Sequence, residues 1–162
     1  MTANRDSNSV SLRPVRAEDE EFLRAVYAGT RAEELALVPW DEAQRAAFIR
    51  FQFAVQQRFY KSEFPDAEHR VILNDGEPVG RLYVDRRAQE IRILDIALLP
   101  AHRGLGIGTP LITALMAEAA GSTRPLSIYV DRDGPALRLF ARLGFSAREE
   151  SGIQVLMEWR PT

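Results

Sequence analysis

A chain of 162 residues, 46% of them hydrophobic and 27% charged, is long enough for one domain with a sizeable core. Its formal net charge of -2 gives no electrostatic pull toward nucleic acid or an anionic membrane, and the lack of cysteine excludes disulfides, thiol catalysis and Cys-ligated zinc. His69 and His102 lie too far apart for a metal-binding spacing, no apolar run is long enough to span a bilayer, and no signal peptide is visible, so a cytoplasmic, metal-free protein is the expectation.

Residues 1–8 are polar and read as a disordered tail, with a single domain over 9–162. Residues 10–15 alternate as a short strand whose Pro14 marks an end or an edge. A helix starts at Ala17, with Glu18, Asp19, Glu20 and Glu21 in its first turn, where the helix dipole favours acids. The longest helical pattern is 41–61: Asp41 can cap it, and Gln44 stands where a capping box needs it. Phe48, Phe51, Gln52, Val55 and Phe59 recur at helical spacing and read as the core stripe of this helix. Trp40, Phe53 and Tyr60 lie off that stripe.

Strands follow at 69–73, 78–84 and 90–98. Asn74-Asp75-Gly76 is a strong hairpin turn, so these strands form an antiparallel meander; Gly80 marks a close approach of backbone. A helix over 108–120 leads to a strand at 126–130, which must lie parallel to 90–98 because a helical crossover joins them. A further helix begins at Pro135 and ends at Gly144, and a hairpin around Ser151-Gly152 closes the chain.

The stretch from 91 to 120 carries the chemistry. An apolar strand stops at Pro100, and Arg103-Gly104-Leu105-Gly106-Ile107-Gly108 then opens a helix. The first N–H groups of a helix have no intrahelical partner, and the helix dipole adds positive charge there. Glycines at alternate positions let an anion reach those groups, and Arg103 adds a full charge suited to phosphate oxygens. Pro110 has no N–H and clashes with the carbonyl four residues back, so either regular hydrogen bonding begins near 107–110 or the first turn is irregular. A P-loop is excluded because Gly108-Thr109-Pro110 stands where Gly-Lys-Ser/Thr is required. A dinucleotide fingerprint fits poorly, with Thr109 in place of its third small residue and no acid ending a second strand.

The spacing Arg103-x-x-Gly106-x-Gly108 resembles the acetyl-coenzyme A motif of the GNAT N-acetyltransferases. The opening "strand, Arg13-Pro14, acids, helix" is also similar to many of them. A second signature is matched by Ala136, Leu139, Leu143, Gly144 and Phe145, but Asp133-Gly134 replaces its usual Asn and Phe140 its usual Tyr. The resemblance covers about 10–160. It implies a mixed α/β sheet of about seven strands and four helices.

The resemblance also implies a cofactor site. The pyrophosphate of acetyl-CoA would sit on the backbone of Arg103, Gly104, Leu105, Gly106, Ile107, Gly108 and Thr109. The pantetheine arm would pair beside Leu98 and Leu99. The 126–130 strand would splay away to leave the slot, and Phe140 would pack beside it. The thioester would meet an acceptor amine directly, with the Leu98 N–H polarising its carbonyl. Asp95, a carboxylate within an apolar strand, is the first candidate base, ahead of Glu34, Glu90 and His69. Tyr129 is the candidate acid, since Phe140 has no hydroxyl to give. The family's variable acceptor region maps to 30–40 and the following helix, where Glu34, Trp40 and Tyr60 are candidate contacts and Glu33 could hold a cationic amine beside Glu34. The expected partners are acetyl-CoA and a small amine or a protein N-terminus, with neither nucleic acid nor membrane; a homodimer is compatible with the sequence. A CoA-binding regulatory domain with weak catalysis, motivated by Phe140 and the absent Asn, is the alternative.

Overall fold

The computed structural model describes residues 9–162; the stretch 1–8, expected as a tail, lies outside them. The elements are β1 (Val10–Pro14), α1 (Glu20–Ala36), α2 (Glu42–Glu63), β2 (Glu68–Asn74), β3 (Glu77–Arg86), β4 (Ile91–Leu98), α3 (Gly108–Gly121), β5 (Leu126–Asp131), α4 (Pro135–Arg142), β6 (Ser146–Ser151) and β7 (Gln154–Trp159). The strands form one mixed sheet of seven in the order β1-β2-β3-β4-β5-β7-β6. The chain divides into two compact units, one holding residues up to Leu82 with Ile96–Ile107, the other holding Tyr83–Asp95 with Gly108–Thr162.

In the first unit the start of α1 is fixed by a buried acid. Asp19 takes both guanidinium nitrogens of Arg13 at 2.8 Å and the N–H of Arg16 at 2.7 Å. These bonds, the Arg13 guanidinium foremost, hold its carboxyl down at about 2, from an ordinary 3.8. α2 begins as its sequence predicts: Asp41 accepts from Gln44 N–H at 2.8 Å, and the Gln44 side chain accepts from Asp41 N–H at 2.9 Å. The β2–β3 turn has Asp75 at φ 52 and Gly76 at φ 84, the left-handed pair a two-residue hairpin requires.

The expected core stripe of α2 is corrected. Phe51, Val55 and Phe59 are 64%, 44% and 53% exposed, whereas Ile49 and Phe53 are buried and pack with Leu23, Tyr27 and Leu35. Phe48 is partly buried and meets Trp40 at 5.3 Å. α2 carries two apolar stripes, and the i, i+4 pair Ile49–Phe53 is the one that α1 covers.

In the second unit β5 is parallel to β4 and antiparallel to β7. Its core is built on Leu126, Ile128, Val130, Val155 and Met157 with Leu111, Ile112 and Leu115. Every residue of β6 is exposed, and this edge strand carries Arg148, Glu149 and Glu150, charges that discourage pairing with another chain. Among the described residues no helix is long and apolar enough to cross a membrane.

Candidate active site

The turn into α3 has the backbone that its glycines suggest. Gly104 and Gly106 lie at φ 73 and 78, a left-handed conformation that strains any residue with a side chain. Gly108 differs: its φ is ordinary, and a Cβ there would meet nothing. Nothing in the fold asks for glycine at 108, so the space over it is available to a ligand. Pro110 takes the third position of α3, within the first turn, where a missing N–H removes no helical bond. No side chain among the described residues accepts a hydrogen bond from Gly106, Ile107 or Gly108. Ile107 is buried at 1% exposure and anchors the turn, while Leu105 is 55% exposed.

Upstream, the loop is braced inside the first unit. Leu99 N–H donates to Val79 O at 2.8 Å, and Arg103 Nε donates to Leu98 O at 3.2 Å. A side chain at Gly80 would collide with Ala97 O, which confirms the expected close approach of backbone. Gly29 of α1 has the same character: a Cβ there would lie 2.8 Å from Pro100 Cδ and 3.5 Å from an Arg103 Nη. The sequence reading passed over Gly29, although a glycine inside a helix costs about 1 kcal/mol against alanine and is itself a signal.

In the second unit, β4 and β5 pair from Ile91↔Leu126 to Ile93↔Ile128. Tyr129 is the next residue of β5, 38% exposed, with the Arg92 guanidinium 5.1 Å from its ring centre. Arg92 is in turn held by Ser127 Oγ at 2.7 Å and Glu90 at 3.0 Å. Glu90 also takes Arg87 and the Ser127 hydroxyl, so this carboxylate is committed to a structural network. Asp95 is half-buried on β4. Phe140 is 1% exposed and meets Phe145 edge-on at 5.0 Å, a core ring.

The remaining candidates lie in the first unit. Glu34 pairs with Arg31 at 3.2 Å. The Tyr60 ring meets Phe59 at a tilt, 6.0 Å between centres, and Phe64 edge-on at 6.3 Å. Burial first, then Arg81 and Lys61, push His69 down from 6.5 to about 4, leaving a neutral and weakly basic imidazole. The sequence reading also missed Arg81, a wholly buried guanidinium on β3 that donates to Gln56 at 2.6 Å. A charge inside the apolar run of β3 is the same signal that singled out Asp95.

The sequence profile of the Acetyltransferase (GNAT) family matches residues 20–145. The chain belongs to this family. Two solved structures share its fold across nearly the whole length. The PaiA N-acetyltransferase of Thermoplasma acidophilum, in complex with coenzyme A, is 18% identical and covers 94% of this chain and 99% of its own, with a TM-score of 0.70. A GNAT family acetyltransferase of Elizabethkingia anophelis with acetyl-CoA bound is 15% identical over 93% and 97%, with a TM-score of 0.60. Among curated relatives, the mycothiol acetyltransferase of Clavibacter sepedonicus is 39% identical over 67 residues, which is 41% of this chain and 21% of that protein. The chain thus spans about a fifth of the curated relatives it matches.

Proposed function

We propose that the chain transfers the acetyl group of acetyl-CoA to the amine of a small molecule or of a protein or peptide N-terminus, by direct attack in a ternary complex. The observation that carries this reading is the turn from Arg103 to Gly108. It combines two glycines in left-handed backbone, a third that the fold does not require, and helix N–H groups with no side-chain acceptor. Such a turn suits a pyrophosphate. The family membership and the CoA-bound neighbours support the same reaction class.

Acetyl-CoA supplies the activated acetyl group; the chain's residues hold, orient and move protons. Backbone N–H groups from Gly104 to Thr109 take the pyrophosphate, since the Arg103 N–H is donated to Pro100 O at 3.3 Å, and the exposed Arg103 guanidinium adds charge. Leu99 N–H is committed to β3, and N–H groups of successive strand residues point to opposite edges, so the Leu98 N–H faces away from β3 and is free to polarise a thioester carbonyl. Asp95 is the proposed base for the acceptor ammonium, and Tyr129 the proposed donor to the departing thiolate. Glu34, Trp40 and Tyr60 are proposed acceptor contacts.

One observation favours a second reading, a CoA-binding domain with weak catalysis: Phe140 is buried and has no proton to give. A panel of amines and peptides with acetyl-CoA, read by thiol release, separates the two. Turnover with one acceptor class supports the transferase. Acetyl-CoA binding without turnover on the whole panel supports the binding domain. The absence of a thermal shift with millimolar acetyl-CoA in the folded protein removes both.

A further inference from the structure

Gly29 stands within α1, a helix of 17 residues, where glycine is a poorer helix former than alanine. What lies against it gives the reason. A Cβ at 29 would come within 2.8 Å of Pro100 Cδ and 3.0 Å of Pro100 Cγ, short of the 3.4 Å at which ordinary contact begins. The nature of the obstacle decides the consequence. The end of a flexible side chain would swing aside at little cost, but a pyrrolidine ring is closed onto its own backbone. To make room for a methyl group at 29, Pro100 must move with its main chain, or α1 must retreat.

That main chain leads straight into the cofactor turn, and the residues concerned all lie in the first unit. Leu99 N–H is fixed to Val79 O at 2.8 Å on one side of Pro100, and the Pro100 carbonyl accepts from Arg103 N–H at 3.3 Å on the other. His102 N–H donates to Leu99 O at 2.9 Å, so residues 99–103 make one tight bend. Arg103 lies against the same point of α1: an Nη would stand 3.5 Å from a Cβ at 29, while Nε holds Leu98 O at 3.2 Å. Because β3 anchors Leu99, a push at Pro100 is passed downstream, to Arg103 and the N–H groups after it. Hydrogen bonds depend steeply on distance and angle, so shifts of a few tenths of an ångström there matter to a bound anion.

We propose that Gly29 is a positioning residue for the cofactor: the bare surface of α1 at this point sets where the Pro100–Arg103 bend lies, and through it the Arg103 guanidinium and the N–H groups of Gly104 and Leu105. Gly29 itself touches no ligand. The proposal rests on the acetyl-transfer reading, and its test separates the two. Calorimetry with acetyl-CoA on the wild type, Gly29→Ala, Pro100→Ala and the double variant makes a double-mutant cycle, with urea unfolding as the measure of stability. In the wild-type background Gly29→Ala should lower acetyl-CoA affinity about tenfold or more. It should not raise the urea midpoint, although alanine is the better helix former. In the Pro100→Ala background Cγ and Cδ are gone, and the nearest remaining neighbour is Arg103 Nη at an ordinary 3.5 Å. There the same substitution should change affinity by less than about twofold and raise the urea midpoint. Should Gly29→Ala fail to fold, Gly29→Val in the Pro100→Ala background replaces it: its added methyls press on Arg103 again, and affinity should fall where Gly29→Ala leaves it unchanged. Wild-type affinity in the folded Gly29→Ala protein, an equal loss in both backgrounds, or undiminished affinity in the Gly29→Val substitute overturns the proposal. If the wild type binds no acetyl-CoA at millimolar concentration, the acetyl-transfer reading falls and takes this one with it.

Discussion

The first turn of α2 is closed by its own side chains, and the first turn of α3 is left open. At α2, Asp41 and Gln44 satisfy each other's backbone N–H at 2.8 and 2.9 Å. At α3, three glycines replace any such cap, and one of them, Gly108, answers to no need of the unliganded fold. Both ends have the same partial charge and the same unpaired donors. The difference is what the chain supplies to meet them. Where it supplies side chains the end is structural; where it supplies clearance and a nearby arginine, the end is the one we propose as a seat for an anion.

The strongest way to break this comparison is to close the open end. Gly108→Asp places a carboxylate at the start of α3, where no neighbour obstructs its Cβ. The unliganded protein should become slightly more stable, by about 0.5 kcal/mol, because an acid suits a helix N-terminus. Acetyl-CoA affinity should fall about 100-fold, since the same charge repels the pyrophosphate and competes for its donors. Denaturant unfolding and calorimetry measure the two effects. If stability and affinity drop together, Gly108 is structural after all. Gly106→Val would be a poorer test, because its φ of 78 strains any side chain before a ligand enters the argument.

The next test concerns the proton donor. Tyr129→Phe should slow single-turnover acetyl transfer by about tenfold or less, below the usual range for general acid catalysis of about 100-fold and up, because a thiolate leaves tolerably unaided. Phe140→Tyr should leave that rate unchanged and lower stability, since its ring is 1% exposed and packs on Phe145. A faster Phe140→Tyr enzyme would show that its hydroxyl reaches the sulfur and would reverse the assignment.

Much of this was legible before the structure. The hairpin turn, the capping box, the parallel crossover and the start of α3 near Pro110 each rest on a local rule that one stretch of sequence satisfies alone. The features that escaped depend on two elements meeting. Helical spacing shows that α2 has apolar stripes; it does not show that α1 covers Ile49 and Phe53 and leaves Phe51 and Phe59 in solvent. Gly29, a glycine inside a helix, finds its reason only in Pro100, which a side chain there would meet. For the site, the turn was readable residue by residue, but which of Asp95, Glu90 and His69 are already engaged was not. Glu90 belongs to the Arg87–Arg92–Ser127 network, and His69 sits in a cationic, half-buried setting.

That setting gives the third test, of polar groups that the fold meets well or poorly. Arg13 holds Asp19 at about 2, against an ordinary 3.8, and burial holds His69 at about 4, against 6.5. In both, the folded value lies below the unfolded one, so the unfolded chain binds more protons as pH falls. Stability should be full above pH 6.5, erode first toward pH 4 through His69, then between 3.8 and about 2 through Asp19. Urea midpoints across this range should show two limbs. His69→Gln should erase the upper limb and spare the lower. A single limb below pH 4 in the wild type would mean that His69 is protonated at no cost in the folded state.

The smallest effect comes from opening the closed end. Asp41→Ala removes the acceptor for Gln44 N–H and the reason for the Gln44 side chain to fold back. The cost should be about 1 kcal/mol, the usual worth of a cap, because α2 spans 22 residues and fraying stays in its exposed first turn. Acetyl-CoA affinity should not move. The informative measurement is with inorganic phosphate. If unpaired N–H groups and a helix dipole made an anion site unaided, phosphate would restore the lost stability of Asp41→Ala and leave the wild type unchanged. No restoration is expected, because Glu42 follows directly, no glycine clears the opened end, and the arginine nearest to it, Arg45, is already bonded to Val38 O. Asp41→Ser should recover most of the loss by capping alone. Phosphate rescue of Asp41→Ala would mean that an open helix end suffices, and the glycine turn before α3 would lose its standing as the feature that marks the cofactor site.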